Sequence, residues 1–175
     1  MGIEISQLDK AEYSGYQFSV SYLTDRYYDV VLLEEGFRLE LKRFEKPVRK
    51  GFSDSLFSDW LEEPLAFGAF DGDKLVGFVE GSGEAWHKLF RISNVFIAEE
   101  YRRKGIAASL MNRMIEHARS ENMWRGVILE TQTCNYPAIC MYKELGFRLT
   151  RIDINEYTND DVANMEVRID LILKF

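Results

Sequence analysis

The chain has 175 residues, of which 46% are hydrophobic and 29% charged, enough to bury one substantial core as a soluble globular protein. Its net charge of -7 argues against a general nucleic-acid binder, which needs a basic surface to displace counterions from phosphates, and suits a cationic partner. No stretch approaches the length of a membrane span, and the N-terminal "MGIEISQLDKAEY" lacks the cationic and apolar segments of a signal peptide. Gly2 and Ser6 match a myristoylation pattern by chance, with no second membrane signal beside them. Cys134 and Cys140 are expected as free thiols, in keeping with a reducing cytoplasm. No linker or repeat divides residues 1–175, so one domain is expected.

In chain order, the first third is aromatic and acidic without strong periodicity, until "GFRLELKRFE" (36–45) alternates Phe37, Leu39 and Leu41 with charged residues as a half-buried strand does. "SDSLFSDWLEE" (53–63) starts with Ser and Asp caps and spaces Leu56, Phe57, Trp60 and Leu61 as a helix, which Pro64 closes. Two apolar runs then flank Asp71-Gly72-Asp73, a hairpin signal. "HKLFRISNVFIA" (87–98) is a longer buried strand, and an amphipathic helix over about 104–122 places Ala107, Leu110, Met111, Met114 and Ala118 on one stripe. "GVILETQ" (126–132) is another strand. Pro137 begins a short helix that ends before Gly146, and two alternating strands, "FRLTRIDINEY" and "MEVRIDLILKF", finish the chain. A meander followed by strand–helix–strand–helix–strand implies an α/β (α+β) fold with a mixed, mostly antiparallel sheet and helices packed on it.

The chemistry concentrates where three cations, Arg102, Arg103 and Lys104, precede Gly105 and the start of the long helix. A helix N-terminus offers unpaired N–H groups and partial positive charge, and glycine lets a ligand approach the backbone. The same residues would also serve as a solvated basic cap. A Walker loop and a dinucleotide fingerprint are both excluded by their missing residues. The two histidines, thirty positions apart, do not make a metal site, and His117 falls on the polar side of its helix. No metal is expected.

The order strand, Arg-x-x-Gly-x-Ala turn, amphipathic helix, strand resembles the coenzyme A-binding signature of the GNAT N-acetyltransferase superfamily, through Arg102, Gly105 and Ala107. The resemblance implies that the N–H groups of Arg103, Lys104, Gly105, Ile106, Ala107 and Ala108 hold the coenzyme A pyrophosphate. "NYPAICMYKELGF" resembles the family's second block through Asn135, Ala138, Tyr142, Gly146 and Phe147. It implies that Asn135 touches the cofactor and that Tyr142 lies near the thioester sulfur as the catalytic acid. It also implies main-chain contacts from Val95, Phe96 and Ile97 to the pantetheine arm, and a parallel strand pair, 87–98 and 126–132, that splays apart. Residues 65–150 carry the general likeness.

"GVILETQTCNYPAICMYKELGF" is similar to the streptothricin acetyltransferase branch, as are Trp86, Tyr157 and the Lys-Phe end. Relatives of that branch often have acidic residues where this chain has Ser93-Asn94, which leaves Glu80, Glu84 and Glu130 as candidate bases. Glu130 ranks first because its strand leads into Asn135. The resemblance thus implies an acetyl-CoA-dependent, cytoplasmic N-acetyltransferase acting on a primary amine of a small cationic acceptor, of streptothricin type, and assembled as a homodimer. Its rivals are a protein N-terminal or lysine acetyltransferase and a non-catalytic acyl-CoA-binding module.

Overall fold

Short alternating runs separated by turns give nine strands in the computed structural model, which describes residues 2–175. They are β1 (Glu4–Gln7), β2 (Gln17–Leu33), β3 (Gly36–Ser55), β4 (Leu65–Asp71), β5 (Lys74–Glu84), β6 (Leu89–Ile97), β7 (Gly126–Gln132), β8 (Arg148–Asp153) and β9 (Arg168–Lys174). The helices are α1 (Lys10–Tyr13), α2 (Ile106–Ser120), α3 (Tyr136–Glu144) and α4 (Asp161–Asn164). The hydrogen-bonded order is β1-β4-β5-β6-β7-β9-β8, with β2 and β3 paired separately. The mixed, mostly antiparallel sheet expected from sequence is present, with one parallel pair, β6–β7. Two compact units form: one from the chain up to Val20, Ser53–Leu129 and Leu173–Phe175, the other from Ser21–Phe52 and Glu130–Ile172.

In the first unit the Asp-Gly signal forms its hairpin. Asp71 pairs with Lys74, and Gly72 alone of the two turn residues has positive φ (60°), as a type II′ turn requires. α2 begins two residues later than the pattern predicts and packs on β4, β5 and β6, burying Ile106, Leu110, Met111, Met114, Ile115 and Ala118. Its His117 is half-buried, ring to ring with Phe67 and Phe90 at 6.0 and 6.1 Å, rather than solvated. A second cluster joins Leu8, Phe18, Leu56, Phe57 and Phe78.

The helix expected over residues 53–63 does not form. Ser53, Asp54 and Ser55 complete β3, and the chain then turns with Phe57 at φ 57° and Glu63 at φ 45°. The Leu56 N–H donates to Tyr16 O at 3.0 Å and the Phe57 N–H to Glu80 Oε1 at 2.5 Å. Burying two adjacent side chains, Leu56 and Phe57, overrides the helical spacing.

The second unit holds most of the β2–β3 hairpin, which the sequence reading left unassigned over β2. Alternation is present there but diluted by charge: Thr24 and Val30 are buried, while Leu23 and Asp25 are exposed. Tyr27 and Phe44 pack across the two strands at 4.5 Å. α3 has Pro137 in its first turn and ends as a Schellman motif: Gly146 (φ 92°) donates to Lys143 O and Phe147 to Tyr142 O, each at 3.0 Å. β8 and β9 pair antiparallel, Leu149 opposite Leu171. Cys134 and Cys140 are free. No helix among the described residues is long and apolar enough to cross a membrane.

Candidate active site

The first unit presents the basic turn. A short 3-10 turn, Glu99–Tyr101, leaves β6, and Arg102 Nε donates to Ile97 O at 2.9 Å, tying the turn to the strand end. Arg103 and Gly105 take positive φ, 60° and 80°. A Cβ at Gly105 would meet no atom within 4 Å, so the left-handed backbone, and not crowding, favours glycine there. The first intrahelical bond is Ser109 N–H to Gly105 O at 3.0 Å. The N–H groups of Arg103, Lys104, Gly105, Ile106, Ala107 and Ala108 therefore have no backbone acceptor among the described residues. Lys104 Nζ lies over the Tyr101 ring at 4.9 Å, and the exposed Arg103 guanidinium makes no ion pair among the described residues. A row of free N–H groups at a helix start beside two exposed cations suits a diphosphate.

The adjoining strand offers an edge. β5 pairs with β6 through Phe78 opposite Phe96 and Glu80 opposite Asn94, and Ala98 N–H donates to Val76 O at 2.9 Å. Antiparallel alternation then turns the main-chain groups of Phe96 and Asn94 toward β5, and those of Val95 and Ile97 away from it. The parallel ladder to β7 covers Phe90, Ile92 and the residue between them, opposite Val127–Leu129, and goes no further. The Val95 N–H and C=O thus face an edge with no strand partner among the described residues, which suits a ligand rich in amides. Coenzyme A has both a diphosphate and an amide-bearing arm, so the first unit's residues fit it.

Also in this unit, Glu80 is fully buried, receiving the Phe57 N–H on Oε1 and Asn94 Nδ2 on Oε2 at 2.9 Å. Burial pushes its carboxyl above the ordinary glutamate value, more than those two hydrogen bonds pull it down. Glu84 is committed elsewhere, to Arg91 and to His87 Nε2 at 2.8 Å. The sequence reading missed Asp54, half-buried at the end of β3, because it assigned that residue to a helix cap. It also set Asn94 aside for lacking a carboxylate. The signal available for Asn94 is a polar residue recurring inside buried strands, at Glu80 and Asn94; Asp54, at the end of a mostly exposed strand, carries no such signal.

The second unit holds the other block. Asn135 is the N-cap of α3, yet its side chain makes no capping bond; its main chain bonds Gln132 O and Ile139 N–H. Tyr142 is 8% exposed and packs against Phe147 with ring centroids 6.1 Å apart. Its hydroxyl has no hydrogen-bond partner among the described residues, and burial pushes its pKa up to about 12, so it holds its proton at neutral pH. Glu130 is paired with Arg168 at 2.8 Å, and the same guanidinium bonds Glu156 and Asp170. Arg168 is a residue the sequence reading did not single out; its place two positions before Asp170, on a buried strand, was the available signal.

Among the described residues no group of His, Cys, Asp and Glu is arranged to hold a metal ion. Residues 33–147 match the sequence profile of the Acetyltransferase (GNAT) family. The chain is 36% identical over 138 residues to a streptothricin acetyltransferase of Escherichia coli, covering 78% of this chain and 76% of that one. It is 31% identical over 137 residues to streptothricin acetyltransferase A of Bacillus subtilis strain 168, covering 77% and 78%. A solved structure from Bacillus anthracis strain Ames, in complex with acetyl coenzyme A, superposes with a TM-score of 0.79 at 19% identity, covering 100% of this chain and 98% of that one. The fold, the basic turn and these likenesses agree: the chain belongs to the GNAT family of acetyltransferases, enzymes that take their acetyl group from acetyl-CoA.

Proposed function

We propose that the protein transfers acetyl from acetyl-CoA to a primary amine of a small polycationic acceptor of streptothricin type. The observation that carries this reading is the similarity to two streptothricin acetyltransferases over more than three quarters of the chain. The net charge of -7 supports a cationic acceptor.

In this reading the N–H groups of residues 103–108 hold the diphosphate, and Arg103 and Lys104 add charge. Asn135 contacts the cofactor. The Val95 and Ile97 main chain, with Phe96 between them, lines the pantetheine arm, and the Val95 N–H polarises the thioester carbonyl. Holding amine and thioester together supplies much of the acceleration. Tyr142, protonated at working pH, gives its phenolic proton to the departing sulfur. Glu130 acts on the acceptor's charge through its ion-pair network rather than as a lone carboxylate.

Thiol release from acetyl-CoA, followed over a panel of amines that includes streptothricin, tests the proposal. Turnover is expected on cationic amines, with KM for a polycation rising as salt screens the attraction. Turnover confined to peptide N-termini and indifferent to salt would overturn the acceptor assignment.

A further inference from the structure

Residues 93 and 94 of the long strand are uncharged, and the structure gathers two carboxylates beside them from neighbouring strands. Asn94 on β6 donates through Nδ2 to Glu80 Oε2 of β5 at 2.9 Å and to Asp54 Oδ2 of β3 at 3.3 Å. Asn94 is 5% exposed and Glu80 0%, whereas Asp54 is half-buried. Asp54 Oδ1 also accepts the Ser55 N–H at 2.7 Å, which fixes its rotamer. The cluster sits where β6 changes character. The register between β5 and β6 shifts after Glu80, leaving Ser93 as the bulged residue, with its Oγ buried and without a hydrogen-bond partner among the described residues. The next residue after Asn94 is Val95, whose main chain faces the open edge.

We propose that Asp54 is the carboxylate that takes the proton from the attacking amine, and that Asn94 and Glu80 are the residues that position it. This rests on the acetyltransferase reading above. Asp54 is the one carboxylate of the pair with exposed surface, so it can touch a substrate. Glu80 cannot, and acts through Asn94. The charged groups acting on Glu80 are Asp54 from β3 and Lys10 from α1. Burial first, and the neighbouring Asp54 charge after it, raise the Glu80 carboxyl.

In the step itself the amine nitrogen forms the C–N bond to the acetyl carbon as the C–S bond breaks. The proton lost from nitrogen passes to Asp54, and the sulfur takes the Tyr142 proton. Asp54 then releases its proton to solvent and Tyr142 recovers one from it, so the products are an N-acetyl amide and the free thiol of coenzyme A.

Asp54→Asn keeps the side chain's size and its acceptor for Ser55, and is assayed with streptothricin from pH 6 to pH 10. We expect kcat at neutral pH to fall by about 10²–10⁴-fold, with acetyl-CoA affinity by calorimetry unchanged. The defect should shrink as pH rises, because the amine then loses its proton to solvent unaided. Wild-type kcat in the variant, or a defect of constant size at every pH, would overturn the assignment of Asp54. Glu80→Gln keeps the side chain's size and one of its two acceptor positions, with a donor amide in place of the other oxygen, and serves if Asp54→Asn does not fold. It should move the acid limb of kcat/KM to lower pH, since one negative charge facing Asp54 is gone; an unmoved limb would overturn the cluster. Wild-type protein that acetylates neither streptothricin nor any amine of the panel would defeat the acetyltransferase reading itself, and this inference with it.

Discussion

The two units treat their candidate glutamates in opposite ways. In the first, the basic turn is exposed and the carboxylate Glu80 is buried among hydrogen-bond donors. In the second, the phenol of Tyr142 is buried and the carboxylate Glu130 is 37% exposed against Arg168. Glu80 and Glu130 are the same residue type, each on a strand, and position relative to the motifs ranks Glu130 above Glu80. Burial gives them different parts instead, Glu80 held inside among donors and Glu130 at the surface in an ion pair. A buried carboxylate is controlled by the two or three groups around it, whereas an exposed one shares its charge with solvent and a competing network.

The largest expected effects lie with the two groups the motifs mark. Gly105→Glu should abolish acetyl-CoA binding in calorimetry, because it puts bulk and negative charge into the open space beside the N–H row. The fold should survive, at a cost of about 1–2 kcal/mol for a side chain at this left-handed position. A folded variant with unchanged affinity would remove the turn from the site. Next, Tyr142→Phe should lower kcat by about 10²–10⁴-fold with little change in acetyl-CoA affinity. An undiminished kcat, with chemistry rate-limiting, would mean that water protonates the thiolate.

Stability separates the two carboxylates directly. Glu80→Ala strands the Phe57 N–H and one Asn94 bond in the interior, and each buried donor left without a partner costs about 1–3 kcal/mol. Glu130→Ala breaks a partly exposed pair worth about 0.2–1 kcal/mol. Urea denaturation of the two variants should therefore differ clearly; equal losses would show that burial does not distinguish the two carboxylates.

The smallest effect is in the pH dependence of stability. The folded carboxyl of Glu80 binds its proton more tightly than the unfolded one, whose ordinary value is 4.5. The folded state therefore carries more protons in that range, and this residue's contribution falls as pH rises from 4.5 through the raised value. Glu80→Gln should gain stability relative to wild type over that window. A difference that stays flat with pH would show that Glu80 is not displaced upward by burial.

The sequence made legible what depends on local pattern. The Asp71-Gly72-Asp73 hairpin, the α2 stripe, the Pro137 start and Gly146 end of α3, and the parallel β6–β7 pair all lie where alternation, turn chemistry and motif order place them. Elements decided by long-range burial were not legible. Residues 53–63 carry helical spacing, yet Leu56 and Phe57 pack beside Leu8, Phe18 and Phe78, and the chain turns instead. The Asp54–Asn94–Glu80 cluster joins residues up to 40 positions apart, so no window of sequence displays it. The basic turn was readable because its chemistry is carried by consecutive residues and a helix start.

Acetyl transfer to an amine can be observed by following the acetyl group itself. The protein is incubated with streptothricin and acetyl-CoA labelled in the acetyl group, and the products are analysed by mass spectrometry and NMR. The label is expected in an amide on one amine nitrogen of the acceptor, with one coenzyme A thiol released for each amide formed. Label recovered only as free acetate, or left on the thioester with no amide formed, would contradict it.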